Sequence, residues 1–350
     1  MKSQIVCIIS NPVSARDIRR VIANAASLQV ADRANIVLRL LASLKACGVE
    51  EVVMMPENGG IRHFVRRGLD RAQARGDEEY PNVKILDMPV SGTVEDTIRA
   101  ARRMKDMGVA AIAVLGGDGT HRAVVSTCGD VPLAGISTGT NNAFPEHREP
   151  TVTGLALGLA VTGRVPVETA YLPNKRLTVA INGEDREIAL VDAAIVTERY
   201  VGARALWRTE TFRDLIVAFA DPEVIGMSSI AGLLEPVSRA DAHGLIVDLV
   251  TEEDASFTVS APIGPGLVRT VGVAGWRRFE AGIIHAPVTT AGSIALDGER
   301  EISFTERDRL TVRLDRDAFR TVNTGAIMHH AATAGLLREA VGRMTRKIVS

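Results

Sequence analysis

The stretch Ala111-Ile112-Ala113-Val114-Leu115-Gly116-Gly117-Asp118-Gly119-Thr120 decides the fold. A short apolar run with no polar alternation predicts a strand buried on both faces, as in parallel sheets. Glycines at 116, 117 and 119 end that run in a turn, and a helix is expected from about Thr120. Strand, glycine turn and helix together form the repeating unit of a sheet joined by crossover helices.

Working outward, similar runs occur at Ile5 to Ser10, Glu51 to Met55, Val83 to Met88 and Leu133 to Ser137. Between the first two, Val37, Leu40, Leu41 and Leu44 keep helical spacing, and Cys47-Gly48 supplies a glycine stop. Thr93-Val94-Glu95-Asp96 reads as a capping box opening a helix to Met107-Gly108. After about residue 165 the texture changes to β-branched runs broken by turn dipeptides. Leu177 to Ile181, Asn182-Gly183 and Glu187 to Val196 predict a hairpin, because both turn residues tolerate positive φ. Further strands are expected at 245–250, 257–261, 270–274, 294–296, 301–304 and 310–314, with a helical insertion near Leu206 to Ala220 and a helical tail from Ile327 to Ile348. The expected fold class is α/β: a Rossmann-like parallel-sheet domain over 1–160, a β-rich, sandwich-like domain over 161–325, and a C-terminal helix over 326–350 that packs back on the first domain. No linker separates the halves, so a tight interface is expected.

Composition narrows the function. The chain has 350 residues with 41 Lys+Arg against 42 Asp+Glu, a net charge of -1. That balance argues against a general nucleic-acid binder, which needs a basic face, and 4% aromatic residues argue against base-stacking platforms. Cys7, Cys47 and Cys128 lie too far apart for a disulfide framework or a metal motif, and read as reduced core thiols of a cytoplasmic protein. No run of about 18 apolar residues suggests a membrane span. His121, His147, His243, His285 and the pair His329-His330 show no metal-ligand spacing.

The glycine turn carries the chemistry. Its freed N–H groups and the helix start behind it favour an anion, and the carboxyl ends of strands in open α/β sheets are where ligands bind. An acidic residue in such a cradle must hold a metal or accept a proton, which makes Asp118 the catalytic candidate; the plain alternative is a helix cap. Two further loops reach the same edge: Thr138-Gly139-Thr140-Asn141-Asn142-Ala143-Phe144-Pro145 and Asn11-Pro12-Val13-Ser14. Arg122, one turn into the helix, either adds positive charge at the phosphates or lies on a solvated face, and the solvated face is the commoner case. No Walker A sequence occurs, which excludes the P-loop route.

Gly116-Gly117-Asp118-Gly119-Thr120 resembles the signature of the superfamily of NAD kinases, diacylglycerol kinases and sphingosine kinases. Within it the chain is most similar to the acetoin-catabolism protein X group, an ATP-NAD kinase-like set, over essentially its whole length. Asn11-Pro12, Gly139-Thr140-Asn141-Asn142 and Asp297-Gly298-Glu299 support the resemblance. It implies an interdomain ATP site with Mg²⁺, and Asp118 as the acid that activates an acceptor hydroxyl, the ribose 2′-hydroxyl in NAD kinase. By the same resemblance Asn11, Gly116, Gly117, Gly119, Thr120, Gly139, Thr140, Asn141 and Asn142 bind nucleotide, while Asp192, Ser228 and Ser229 bind the acceptor. Asp297 and Glu299 are metal candidates, although Asp297-Gly298-Glu299 most simply forms a hairpin turn. Val191 stands where NAD kinases carry an Asn that contacts the dinucleotide.

The expected function is therefore an ATP-dependent phosphotransferase acting on small-molecule nucleotide substrates. NAD is the leading acceptor. The alternatives are a kinase for a small hydroxylated metabolite of acetoin catabolism and a non-catalytic NAD or ATP sensor. Neither nucleic acid nor membrane is an expected partner, and the family resemblance implies a homodimer or homotetramer.

Overall fold

Ala111–Gly116 forms a strand (β4) in which every residue is buried. In the computed structural model, which describes residues 4–10, 12, 28–77, 79–138, 142–198, 211–298 and 300–338, it lies between Val6–Ser10 (β1) and Leu133–Ser137 (β5), parallel to both. Glu51–Met54 (β2) and Asn82–Ile85 (β3) extend the sheet beyond β1, giving the order β3-β2-β1-β4-β5. The order reverses between β1 and β4, the switch point outside which doubly wound sheets open a crevice.

Alternation along these strands divides two cores. Val6, Ile8, Ala111, Ala113, Leu115, Ala134 and Ile136 face the helices Val30–Ala46 (α1) and Ile61–Arg75 (α2). Cys7, Ile9, Ile112, Val114 and Leu133 face the other way, towards Val94–Asp106 (α3) and Asp118–Val125 (α4). The expected caps form with one change of detail. Thr93 accepts the Glu95 N–H, while the buried Asp96 carboxylate reaches past it to the amides of Ser91 and Gly92.

The first sheet does not stop at β5. Leu310–Val322 (β16) runs beside it, parallel at Thr321 and Leu133, and then pairs antiparallel with Tyr171–Ile181 (β6), which pairs with Glu184–Ala189 (β7). With the short Ile284–His285 strand (β13) on β16, nine strands join in this sheet among the described residues. The change of texture near residue 165 thus coincides with a change from parallel to antiparallel pairing within one sheet. Asn182 and Gly183 take the positive φ angles of the expected hairpin turn.

The strand read over Glu187 to Val196 breaks at Leu190-Val191. β7 belongs to the first sheet and Asp192–Val196 (β8) to a second, all antiparallel one. That sheet also holds Phe212–Val217 (β9), His243–Val250 (β10), Phe257–Gly264 (β11), Leu267–Glu280 (β12), Gly292–Leu296 (β14) and Arg300–Phe304 (β15), in the order β11-β12-β10-β9-β8-β14-β15. β9 corrects the helical insertion expected near 206–220. Phe212, Leu215, Ile216 and Val217 are β-formers, and pairing on both sides, with β8 and β10, overrides the apparent helical spacing; residues 199–210 lie outside the described set. Residues of both sheets, among them Leu177, Ile216, Ile294 and Phe319, share the core that holds Ile112 and Val114. After β16 the helix Thr324–Ala334 packs Ile327 and Ala331 on Ala156, Leu159 and Ala160 of Pro150–Val161. The rest of the expected tail, beyond 338, is outside the described residues.

Candidate functional site

The turn after β4 is built for close approach. A β-carbon on Gly116 would lie 2.4 Å from the Thr120 side chain, and one on Gly117 would lie 2.7 Å from Asn142 Oδ1. A larger residue at 117 would push the two loops apart, and one at 116 would collide with the start of the following helix. Asn142 is fixed in turn by its Nδ2, which donates to Ser137 Oγ at 2.8 Å, and the Thr138 N–H donates to the Gly116 carbonyl at 3.3 Å. The structure therefore brings Gly116, Gly117, Asp118, Thr120 and Asn142 together. Asn11, Gly139, Thr140, Asn141 and Glu299 lie outside the described residues.

Asp118 opens α4 and is buried, with its carboxylate across the gap between the two loops. Oδ2 accepts the Ala143 N–H at 3.0 Å and Oδ1 the Phe144 N–H at 2.8 Å. The helix behind it is anchored by His121, which is fully buried and whose Nδ1 donates to the Gly117 carbonyl at 2.9 Å. Burial pushes the His121 pKa down to about 4, so the ring is neutral near pH 7. It fits because Gly135 faces it without a side chain: a β-carbon there would be 2.9 Å from Nε2.

Two more aspartates gather from the second sheet. Asp192 opens β8, buried, and its carboxylate accepts the Ser228 N–H. Burial drives its pKa well above the usual carboxylate range, and the charges of Asp297 and then Asp118 push in the same direction. Asp297 sits at φ 49 in the turn after β14 and accepts the amides of Leu190, Val191 and Asp192 at 2.8 to 3.3 Å. Three successive amides and a carboxylate make an anion nest. This grip holds the crossing from β7 to β8, so Asp297 orients Asp192. Among the described residues no group of three or more His, Cys, Asp or Glu side chains is arranged to hold a metal ion.

Arg122 corrects the solvated-helix reading. Its Nη1 donates to the Leu296 carbonyl at 2.8 Å and lies 3.5 Å from Asp297 Oδ2, with only 12% of its side chain exposed. It ties the helix after the glycine turn to the second sheet. Val191, at the position where the resemblance places an Asn in NAD kinases, packs its side chain in the shared core. Ser229 Oγ donates to the Gly226 carbonyl at 2.6 Å. Ser10 Oγ, Thr138 Oγ1 and Ser228 Oγ are buried without a hydrogen-bond partner among the described residues, at the ends of β1 and β5 and beside Asp192. A buried hydroxyl without a partner is costly unless a ligand satisfies it.

Sequence reading missed Arg239. Its guanidinium lies 4.7 Å from the ring centroids of both Phe144 and Phe219 and donates to the carbonyls of Ala143 at 3.2 Å and Phe144 at 2.5 Å. No local pattern marks it, since the carbonyls it holds are almost a hundred residues away.

The three cysteines are free and buried. No helix among the described residues is long and apolar enough to cross a membrane.

Comparison with known proteins agrees with this layout. Residues 7–164 match the ATP-NAD kinase N-terminal domain, and residues 175–317 match the acetoin catabolism protein X C-terminal domain. A solved structure titled as a diacylglycerol kinase, still unverified, from Bacillus anthracis str. Sterne superposes with a TM-score of 0.52 at 13% identity, covering 92% of this chain and 98% of that one, a likeness of fold. Acetoin catabolism protein X of Cupriavidus necator is 57% identical over 338 residues, 95% of this chain and 94% of its own. With that identity over nearly the full length of both proteins, the chain belongs to the acetoin catabolism protein X family, whose members carry an NAD kinase-like fold.

Proposed function

We propose that this protein is an ATP-dependent phosphotransferase that moves the γ-phosphate of ATP to an acceptor hydroxyl, with the NAD 2′-hydroxyl as the leading acceptor. The observation that carries the reading is the Asp118 carboxylate, buried across two glycine-containing loops at the sheet switch point. Phosphoryl transfer asks chiefly for positioning and charge stabilisation, and this chain's residues supply both. The amides of Gly117 and Gly119 face the phosphates at the start of α4, with Asn142 of the next loop beside Gly117; the nucleotide roles of Thr120, Asn11, Gly139, Thr140 and Asn141 rest on the family resemblance. Ser10 and Thr138 offer their unpartnered hydroxyls there. Asp118 accepts the proton of the attacking hydroxyl, and Asp192, Ser228 and Ser229 orient the acceptor.

Mg²⁺ fits this donor set. Magnesium in such sites takes one or two protein carboxylates and completes its shell with phosphate oxygens and water. Asp118 and Asp192 are the carboxylates that would hold it, since burial and like charge at Asp192 are relieved by a cation. Bound there, it would neutralise charge on the phosphate oxygens. Asp297 contributes by fixing Asp192.

The buried Val191 side chain favours a second reading, a kinase for a small hydroxylated metabolite, because no amide side chain stands at that position to recognise a dinucleotide. Incubation with MgATP and either NAD or a panel of short hydroxylated carbon compounds, followed by mass spectrometry, tests both. NADP formation supports the first reading and a phosphorylated small molecule the second. ATP binding without any phosphorylated product overturns both in favour of a sensor.

A further inference from the structure

A crevice of about 170 Å³ opens behind the Ala143–Phe144 peptide, lined by Phe144, Arg148, Lys175, Arg239 and Arg316. Its wall carries a small excess of cations, with Arg148, Lys175, Arg239 and Arg316 set against Glu146, Asp241 and Asp317. Lys175 is buried, and its Nζ donates to two carbonyls, Ser238 at 3.0 Å and His243 at 2.6 Å, with no carboxylate at ion-pair distance. Arg316 is exposed and has no hydrogen-bond or ion-pair partner among the described residues. Arg239 uses one nitrogen, Nη2, on the Ala143 and Phe144 carbonyls, leaving the rest of the guanidinium to the crevice. Of the acidic residues in the wall, Glu146 pairs with Arg148, and Asp241 accepts the Ser238 amide at 2.7 Å; Asp317 is the third. Burial pulls the Lys175 pKa down to about 8 and Arg316 adds to this, while Asp241 opposes it, so the amine remains largely charged at pH 7.

Asp241 acts on Lys175, and Glu146 and Asp118 act on Arg239, yet the wall keeps an excess of cations, and an added anion lowers the cost of burying them. The space is below that of usual cofactor pockets, which restricts the ligand to a small molecule. We propose that this crevice is a second ligand site that binds a small anionic metabolite, its carboxylate or phosphate group recognised by Lys175, Arg239 and Arg316.

The site is wired to Asp118 by one peptide group. All described peptide bonds are trans, so the C=O of Ala143 and the N–H of Phe144 point in opposite directions. The carbonyl accepts from Arg239 in the crevice wall, and the N–H donates to Asp118. An anion that draws on the Arg239 guanidinium therefore loosens the loop that holds the Asp118 carboxylate.

Isothermal titration of the full chain at fixed ionic strength, first with inorganic phosphate and then with citrate, tests the site without reference to phosphoryl transfer. The expected result is saturable binding of at least one probe, weakened about tenfold or more by Arg316→Glu and changed far less by Asp118→Asn, which reaches the crevice only through the shared peptide. Tighter phosphate binding points to a phosphorylated metabolite, tighter citrate binding to a carboxylic acid. Hydrogen exchange should show faster exchange at the Ala143 and Phe144 amides when the probe is bound. Binding that responds to Asp118→Asn but not to Arg316→Glu would place the anion at the glycine turn and overturn the proposal, as would no saturable binding of either probe.

Discussion

Asp118 and Asp297 are both buried aspartates held by backbone amides, yet their surroundings set them to different work. Asp297 takes three successive amides of one segment and has the Arg122 guanidinium beside it. Its charge is matched by a neighbour of opposite sign, so it serves cohesion. Asp118 takes two amides from a loop that belongs to the next strand. Both carboxylates push the Asp192 pKa upward, Asp297 more strongly, so like charge alone does not tell them apart. What separates them is placement: Asp297 closes a crossing within its own half of the fold, whereas Asp118 spans two loops at the strand ends where open α/β sheets bind ligands.

The largest expected effect breaks the pair apart by function. Asp118→Asn should lower phosphoryl transfer by about 10²- to 10⁴-fold, the range for loss of a positioned acid or base, measured by steady-state product formation. It should also cost about 1–3 kcal/mol of stability in denaturant titration, because the Asn amide group turns one acceptor into a donor facing an N–H. Wild-type turnover in this variant would remove Asp118 from the chemistry.

Asp297→Ala should do the reverse. It leaves three amides unpaired and Arg122 without its partner, at a cost of about 3–5 kcal/mol in denaturant titration. A loss below about 1 kcal/mol would show that the nest does not carry the β7 to β8 crossing.

How far these roles could be read from sequence follows from distance along the chain. The strand, glycine turn and helix around Asp118 lie within one window, and the period of the apolar residues exposes them. Asp192 and Ser228 were reachable through the family resemblance. Arg122 contacts Leu296, 174 residues away, and nothing local distinguishes it from a solvated helix arginine. Arg239 sends its donors to carbonyls, which have no sequence signature. β9 was misread because its alternation is masked by Asp214, a buried acid inside a strand whose pairing on both sides decides the structure.

A third test uses pH to sharpen the contrast at the anchor beneath Asp118. His121 is held neutral, with its folded pKa near 4 against an ordinary value of 6.5. Below pH 6.5 the unfolded chain takes up a proton that the folded chain refuses, so stability falls as the pH drops from 6.5 towards 4. This group accounts for about 3 kcal/mol of that fall. Denaturant titrations of wild type and His121→Asn across this range should differ in slope accordingly, and parallel curves would refute the assignment.

The smallest effect concerns the turn itself. Gly117→Ala sets a β-carbon against Asn142 Oδ1 and should cost about 1 kcal/mol in stability. The larger readout is a raised KM for ATP, because Asn142 must move from the phosphate wall. An unchanged KM would indicate that the two loops are not jointly engaged by nucleotide.

The placement of β16 has a consequence for how the protein is made. This strand, the last among the described residues, lies inside the first sheet, between β5 and β6. Synthesis proceeds at about 5–20 residues per second, so the β5 edge emerges on the order of ten seconds or more before its neighbour. During that interval the nascent first half exposes an unpaired parallel edge, a template for aggregation. A messenger cut anywhere before the codon for Leu310 therefore yields a product that cannot close its first sheet, and expression of residues 1–160 alone should give a larger insoluble fraction than expression of all 350 residues.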